Sequence, residues 1–174
     1  MIPQDIPSIF RAVVARAAQI YGNPIYFDYG HYREVTGNLN AKDMSETQQS
    51  MKYPIVWLVM DFEEDHGKRL DVYASIKPNV VIAVDTDPNY TMDERWDTSF
   101  KPKLYPIYGA LLQAISESAD FRMPPVASIE HTKIDRPYWG VRNAIGDSER
   151  NYFNDHVDAI QLIGIELDIR RKIC

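Results

Sequence analysis

Ile55-Val56-Trp57-Leu58-Val59-Met60 and Val80-Val81-Ile82-Ala83-Val84 are two unbroken apolar runs, each bounded by turn-forming residues. Runs this short and this rich in β-branched side chains read as strands covered on both faces. Between them, Glu64-Asp65-His66-Gly67-Lys68 has the chemistry of a turn, and Leu70, Val72, Ala74 and Ile76 alternate with more polar neighbours. That alternation is the pattern of a half-exposed strand. Lys77-Pro78-Asn79 breaks the chain once more. The short connections predict an antiparallel meander of three strands. A sheet of this kind buries its apolar faces only if other elements lie against it.

Working outward, Ile6, Ile9, Phe10, Val13, Val14, Ala17, Ile20 and Tyr21 recur at three-and-four spacing and predict an amphipathic helix. Asp5 can cap its start, Pro7 suits its first turn and Gly22 can supply the left-handed stop. Ile25 to Tyr29 reads as a strand, and Gly30 to Lys52 as a long polar loop, within which Asn38 to Gln49 is almost entirely polar apart from Leu39, Ala41 and Met44. Asp85 to Lys101 reads as a second long loop. Leu104, Ile107, Tyr108, Leu111, Leu112 and Ile115 mark a second helix, with Pro106 near its start. Val126 to Ile129 is expected to be a strand, and His131 to Asp155 a third long loop or ribbon. The chain closes on Ile163, Ile165, Leu167 and Ile169, alternating with Gly164, Glu166, Asp168 and Arg170. The whole reads as one α+β domain over residues 1–174, with a single mixed, mostly antiparallel sheet, two amphipathic helices on one face and long loops. Long loops with little apolar patterning are expected to be mobile in the isolated subunit and to order against a partner.

The 174 residues are 45% hydrophobic and 25% charged, the balance of an ordinary globular domain. No apolar run reaches the roughly 18 residues of a membrane span. Met1-Ile2-Pro3-Gln4-Asp5 lacks a basic region followed by an apolar stretch, so no secretory signal is read and the chain is expected to stay where it is made, with no membrane partner. Its one cysteine, Cys174, rules out a disulfide within the chain. A net charge of −6 argues against tight binding of nucleic acid, which needs a basic surface.

Chemistry is hard to find. Metal-dependent nucleases of the restriction type place a lysine two residues after an acid on a strand, and no Asp or Glu here has that neighbour. Asp93-Glu94-Arg95 is the nearest variant. Asp85-Thr86-Asp87-Pro88-Asn89 begins like a calcium loop, but its sixth position is Tyr90 and its twelfth is Trp96, where glycine and glutamate belong. Asp61, Glu63, Glu64, Asp65 and His66 read as a solvated hairpin tip. His31, His66, His131 and His156 lack zinc spacing, Gly67-Lys68 is followed by Arg69 rather than Ser or Thr, and Ser75 and Ser128 have no elbow motif around them. No catalytic residue, metal ligand or cofactor is therefore expected, and the chain is not read as an enzyme. What stands out is a group of aromatics in or beside the predicted loops: Tyr90, Trp96, Phe100, Tyr138, Trp139, Tyr152 and Phe153, with Arg95, Arg136 and Arg142 among them. They either plug the loops onto the domain or anchor an interface, as Tyr, Trp and Arg do. The candidate interface residues are Tyr90, Arg95, Trp96, Arg136, Tyr138 and Trp139.

Three segments, together with the opening helix and the closing strand, carry a likeness. They are Lys52-Tyr53-Pro54-Ile55-Val56-Trp57-Leu58, Ser99-Phe100-Lys101-Pro102-Lys103-Leu104-Tyr105-Pro106-Ile107-Tyr108 and Phe153-Asn154-Asp155-His156-Val157-Asp158-Ala159-Ile160. In these the chain resembles the neck, head-to-tail connector and tail-terminator (tail-completion) proteins of tailed bacteriophages. The resemblance implies a mixed sheet with flanking helices and a homo-oligomeric ring in the virion, assembled in the host cytoplasm. Its neighbours would be portal or connector and tail proteins, with DNA only passing through the lumen. It implies no catalytic residues. Two readings of other classes stand beside it. One is a metal-dependent, nuclease-like hydrolase using Asp61, Asp85 and Asp87; the other is a monomeric protein-binding adaptor using the aromatic loops.

Overall fold

The computed structural model describes residues 5–60, 63–65, 73–122, 129–139 and 155–170. Asp61, His66, Leu70, Val72, Ser128, Arg142, Tyr152, Phe153 and Cys174 lie outside them, as does the predicted strand at Val126 except for its last residue, Ile129. Helix α1 spans Ile6–Tyr21 and starts as its sequence requires: the Asp5 carboxylate accepts the Ser8 backbone N–H at 3.1 Å. It stops at Gly22, whose φ of 82° carries the chain into the left-handed turn.

The strands divide between two sheets rather than forming one. The larger has five strands in the order β1-β2-β5-β7-β6. There β1 (Tyr26–Gly30) runs parallel to β2 (Ile55–Val59), while β2, β5 (Asn79–Asp85), β7 (Val157–Ile163) and β6 (Thr132–Arg136) pair antiparallel. The smaller is an antiparallel sheet of β3 (Glu64–Asp65), β4 (Tyr73–Ile76) and β8 (Leu167–Arg170). The α+β class and the mixed, mostly antiparallel pairing are as expected, but the meander is not. The two apolar runs are direct partners, Trp57 opposite Val81, and the alternating strand between them in sequence leaves for the second sheet. Segments that are apolar on both faces belong at a sheet's centre, where both faces are covered. The closing alternation is likewise two strands, because Gly164 (φ 69°) turns the chain after Ile163 and period-two patterning continues on either side of that turn.

Each face of the larger sheet has its own core. On one, α1 and α5 (Tyr105–Glu117) bring Phe10, Val13, Val14, Leu111 and Ile115 against Val56, Leu58, Val80, Ile82, Ile160 and Leu162. On the other, Val35 and Leu39 pack with Ile55, Trp57, Val81, Ala159 and Trp139. Those two residues belong to α2 (Tyr32–Lys42), followed by the short α3 (Glu46–Gln49), so the stretch expected to be a loop from Gly30 to Lys52 is largely helical. A helix that buries only Val35, Thr36 and Leu39 has too narrow a stripe to be read by periodicity.

The second predicted loop is also helical. After a capping box in which Thr91 and Glu94 serve each other's backbone, α4 (Met92–Arg95) runs into a π-helical stretch, Trp96–Leu104, and straight on into α5. Its buried residues, Ser99, Phe100 and Leu104, fall on a wider turn than the α-helical one, and Pro102 sits inside it. The third predicted loop contains β6 and leads into β7. No helix among the described residues is long and apolar enough to cross a membrane.

Candidate functional site

β2 begins, β5 ends and β7 begins at the same end of the sheet, Ile55 standing opposite Ala83 and Asp85 opposite Val157. Two clusters of charge are built there, one on each side of Thr86. The first lines an open cleft of about 300 Å³ formed by Asp43, Gln49, Lys52, Tyr53, Asp85, Thr86, Asp155 and His156. Lys52 is its centre. Its side chain is only 3% exposed, and its ammonium meets Asp43 Oδ1 at 2.8 Å and Asp155 Oδ2 at 2.6 Å. The Tyr53 hydroxyl donates to Asp155 Oδ2 at 2.7 Å. Burial above all, and then the charge of Asp155 and that hydrogen bond, push the Tyr53 hydroxyl far above the ordinary tyrosine range. Tyr53 therefore keeps its proton and acts as a donor, not a base. Because Asp43 caps the C-terminus of α2, Lys52 ties that helix and the entry to β7 to the start of β2.

The second cluster is dry. Arg95 and Asp158 have side chains of 0% exposure, with Nη1 to Oδ1 at 2.8 Å. The rest of the guanidinium holds the loop after β5: Nη1 donates to Thr86 Oγ1 at 3.2 Å, Nη2 to the carbonyl of Asp87 at 2.8 Å and of Pro88 at 3.3 Å, and Nε to the carbonyl of Tyr90 at 3.2 Å. The Tyr138 ring lies over the guanidinium, 3.2 Å from Cζ to the ring centroid. Its backbone N–H donates to Asp158 Oδ1 at 3.0 Å and its hydroxyl donates to the Tyr90 carbonyl. Tyr138 holds this position with φ of 54°, a left-handed backbone that side chains rarely adopt. Asp158 Oδ2 is buried and, among the described residues, has no hydrogen-bond partner. Arginine suits this role because its flat fork serves several carbonyls and a carboxylate at once while its face accepts a ring.

The six aromatic and arginine candidates are thus dispersed. Tyr90, Arg95 and Tyr138 are brought together in the dry cluster. Trp139 is in the core of the opposite face, 5.8 Å from the Trp57 ring and 6.2 Å from that of Tyr32. Trp96 is half-buried, stacked on Phe100 at 5.0 Å and edge-on to Tyr105 at 5.7 Å. Arg136 is exposed on β6, donating to Gln161 Oε1 at 3.0 Å. Two candidates need correcting: Arg95 and Trp139 are interior residues, at 0% and 5% exposure, and present no surface to a partner. Long polar segments near these residues gave no hint that a buried cation and a core indole lay within them. Lys52, Asp155 and Asp158 figure in the segments that carry the likeness but are not among the candidate site residues. Asp158 carried a signal, since a lone acid inside the apolar run of residues 157–162 must find a cation if that strand is buried.

For the hydrolase reading, Asp87 Oδ1 is occupied by the N–H of Asn89 at 2.8 Å in its own turn, while Asp85 is exposed with Lys103 at 3.8 Å. Among the described residues no group of three or more His, Cys, Asp or Glu side chains is placed to hold a metal ion. The arrangement at this end of the sheet holds a loop, a helix end and three strand ends in fixed relation. Compared with protein families and with curated proteins, the chain matches none.

Proposed function

We propose that the chain is a virion structural protein, a tail-terminator or neck ring protein. It forms a homo-oligomeric ring at the head–tail junction, joining portal or connector to tail and leaving a conduit for DNA. One observation carries the reading: the segments that resemble this family are the ones that meet in space. Lys52 and Tyr53 of the first bind Asp155 of the third. Phe100, Leu104 and Ile107 of the second share a core with Val56 and Leu58 of the first and Ile160 of the third.

A ring gripped from above and below needs a subunit of fixed shape. The loop over residues 85–90 is held by Arg95 instead of waiting for a partner to order it, and the stretch 30–52 is already folded. This replaces the expectation that these segments are mobile in the free subunit, and a pre-organised surface loses less entropy on assembly. Tyr138, which follows β6 and lies 40% exposed above Arg95, is the aromatic offered to a neighbour beside this loop. A head-to-tail contact repeated around an axis closes into a ring. A charge of −6 on each subunit suits a lumen that must not retain phosphates. Light scattering and negative-stain electron microscopy of the purified chain test this. Annular particles of uniform subunit number are expected, and a chain that stays monomeric at every concentration overturns the reading.

A further inference from the structure

Among the described residues the five-stranded sheet ends in two edge strands, β1 and β6, and the two differ. At β1 the Asp28 carboxylate takes the backbone N–H of Tyr29 at 2.9 Å and is itself held by Asn38 at 3.1 Å. A side chain that occupies a backbone donor blunts that edge against further pairing. Among the described residues nothing comparable occupies the outer edge of β6, Thr132-Lys133-Ile134-Asp135-Arg136.

The charges of β6 have a symmetry. Centred on Ile134, the strand reads Lys on one side and Asp on the other. In an antiparallel pairing of two copies about a two-fold axis at Ile134, Lys133 of each stands opposite Asp135 of the other, on the same face of the sheet. Slipping the register by two residues sets Lys133 against Lys133 in one direction and Asp135 against Asp135 in the other. Opposed like charges destabilise a strand pair and opposite charges stabilise it, so one register is selected. In the single subunit the two side chains neutralise each other, Nζ to Oδ1 at 2.6 Å, and both stay partly exposed at 29% and 27%. Tyr105 holds both charges at the strand, its ring 4.7 Å from Lys133 Nζ and its hydroxyl donating to Asp135 at 3.3 Å. So placed, the pair can exchange partners across a two-fold axis.

We propose that β6 is a self-pairing edge, whose partner is the β6 of a second copy of this chain, joining two five-stranded sheets into one. The contact is isologous, unlike the head-to-tail contact of a ring, and goes beyond the ring reading. Five residues a side fall below the about 1,200 Å² of standard stable interfaces, so the dimer is concentration dependent.

Sedimentation velocity of the full chain from about 1 µM to about 1 mM tests it. Lys133→Glu and Asp135→Lys each place like charges opposite one another in the homodimer, and each is expected to weaken it about tenfold. Mixing the two variants restores both opposite-charge pairs. The glutamate introduced by the first substitution meets the lysine introduced by the second, and the unaltered Asp135 of one chain meets the unaltered Lys133 of the other. The mixture therefore dimerises where neither variant does alone. Circular dichroism confirms that both remain folded. Dimerisation unchanged in either variant, no association of the wild type at the highest concentration, or no recovery on mixing overturns the proposal. A ring whose further pairing through β6 is the same in both variants as in the wild type overturns it while leaving the ring reading intact; a charge-dependent dimer that never grows into a ring does the reverse.

Discussion

Arg95–Asp158 and Lys52–Asp155 lie at the same end of the sheet and both seize the start of β7, yet one pair is sealed and the other faces a cleft. The Arg95 and Asp158 side chains are wholly buried, whereas Asp155 and Asp43 beside Lys52 keep 17% and 34% exposure. The difference lies in what each cation must satisfy. Arg95 replaces water for the carbonyls of Asp87, Pro88 and Tyr90 as well as for a carboxylate, so this loop, though mostly exposed outside, can turn those carbonyls inward only because the guanidinium is there. Lys52 joins carboxylates that the cleft can rehydrate. A dry ion pair is therefore indispensable once formed, while a wet one adjusts. Neither fact says that the dry pair stabilises more than an apolar pair would, since burying both charges carries a desolvation penalty of several kcal/mol per ion.

Removing the dry cation should have the largest effect. Arg95→Met strands Asp158 and the loop carbonyls, and should destabilise by about 3–5 kcal/mol in urea unfolding. Adding Asp158→Leu should recover much of that loss; a double variant no better than the single would mean the loop carbonyls, not the charge, dominate. Trp139→Ala comes next, at about 3–5 kcal/mol, because the indole is core beside Trp57 and its backbone is bonded to Val157. A variant with an unchanged thermal midpoint would return Trp139 to the surface and detach the dry cluster from the core behind it.

Lys52→Met should lower stability by less, about 1–3 kcal/mol, because water can enter the cleft to serve Asp43 and Asp155. A loss as large as that of Arg95→Met would erase the contrast. The smallest effect is that of Tyr53→Phe, about 1 kcal/mol near neutral pH for one hydrogen bond. Its signature is in the pH dependence. The folded-state pKa of Tyr53 is raised above the ordinary value of 10, so below that pH both states are protonated and the full stability is present. Above it the unfolded chain releases a proton that the folded chain retains, and stability falls as pH rises. Tyr53→Phe should flatten that alkaline decline, measured as thermal midpoint against pH, without abolishing it. Tyr32, Tyr105 and Tyr108 are also raised by burial and contribute to the same slope.

Local pattern carried a good part of the fold. The stripe from Ile6 to Ala17, the cap at Asp5, the stop at Gly22, the two apolar strands and the face of α5 each satisfy a rule that acts within a few residues, and each is found where the sequence puts it. Helix α2 and the π-helical stretch were hidden because their burial is lent by the sheet, through Val35 and Leu39 in one case and Phe100 and Leu104 in the other.

By itself, then, the sequence determined the α+β class, the amphipathic helices and the strands of the sheet's centre, because side-chain period is a local property. It determined the charge symmetry of β6 as well, since that symmetry is written in five consecutive residues. Only the tertiary structure decided which strands are neighbours, that Gly164 hands the chain to a second sheet, and that Arg95 lies inside while Arg136 lies outside. Arg95 and Asp158 are 63 residues apart along the chain. Two charges so distant become a pair only when strand order brings β7 beneath α4, and no pattern over neighbouring residues contains that information.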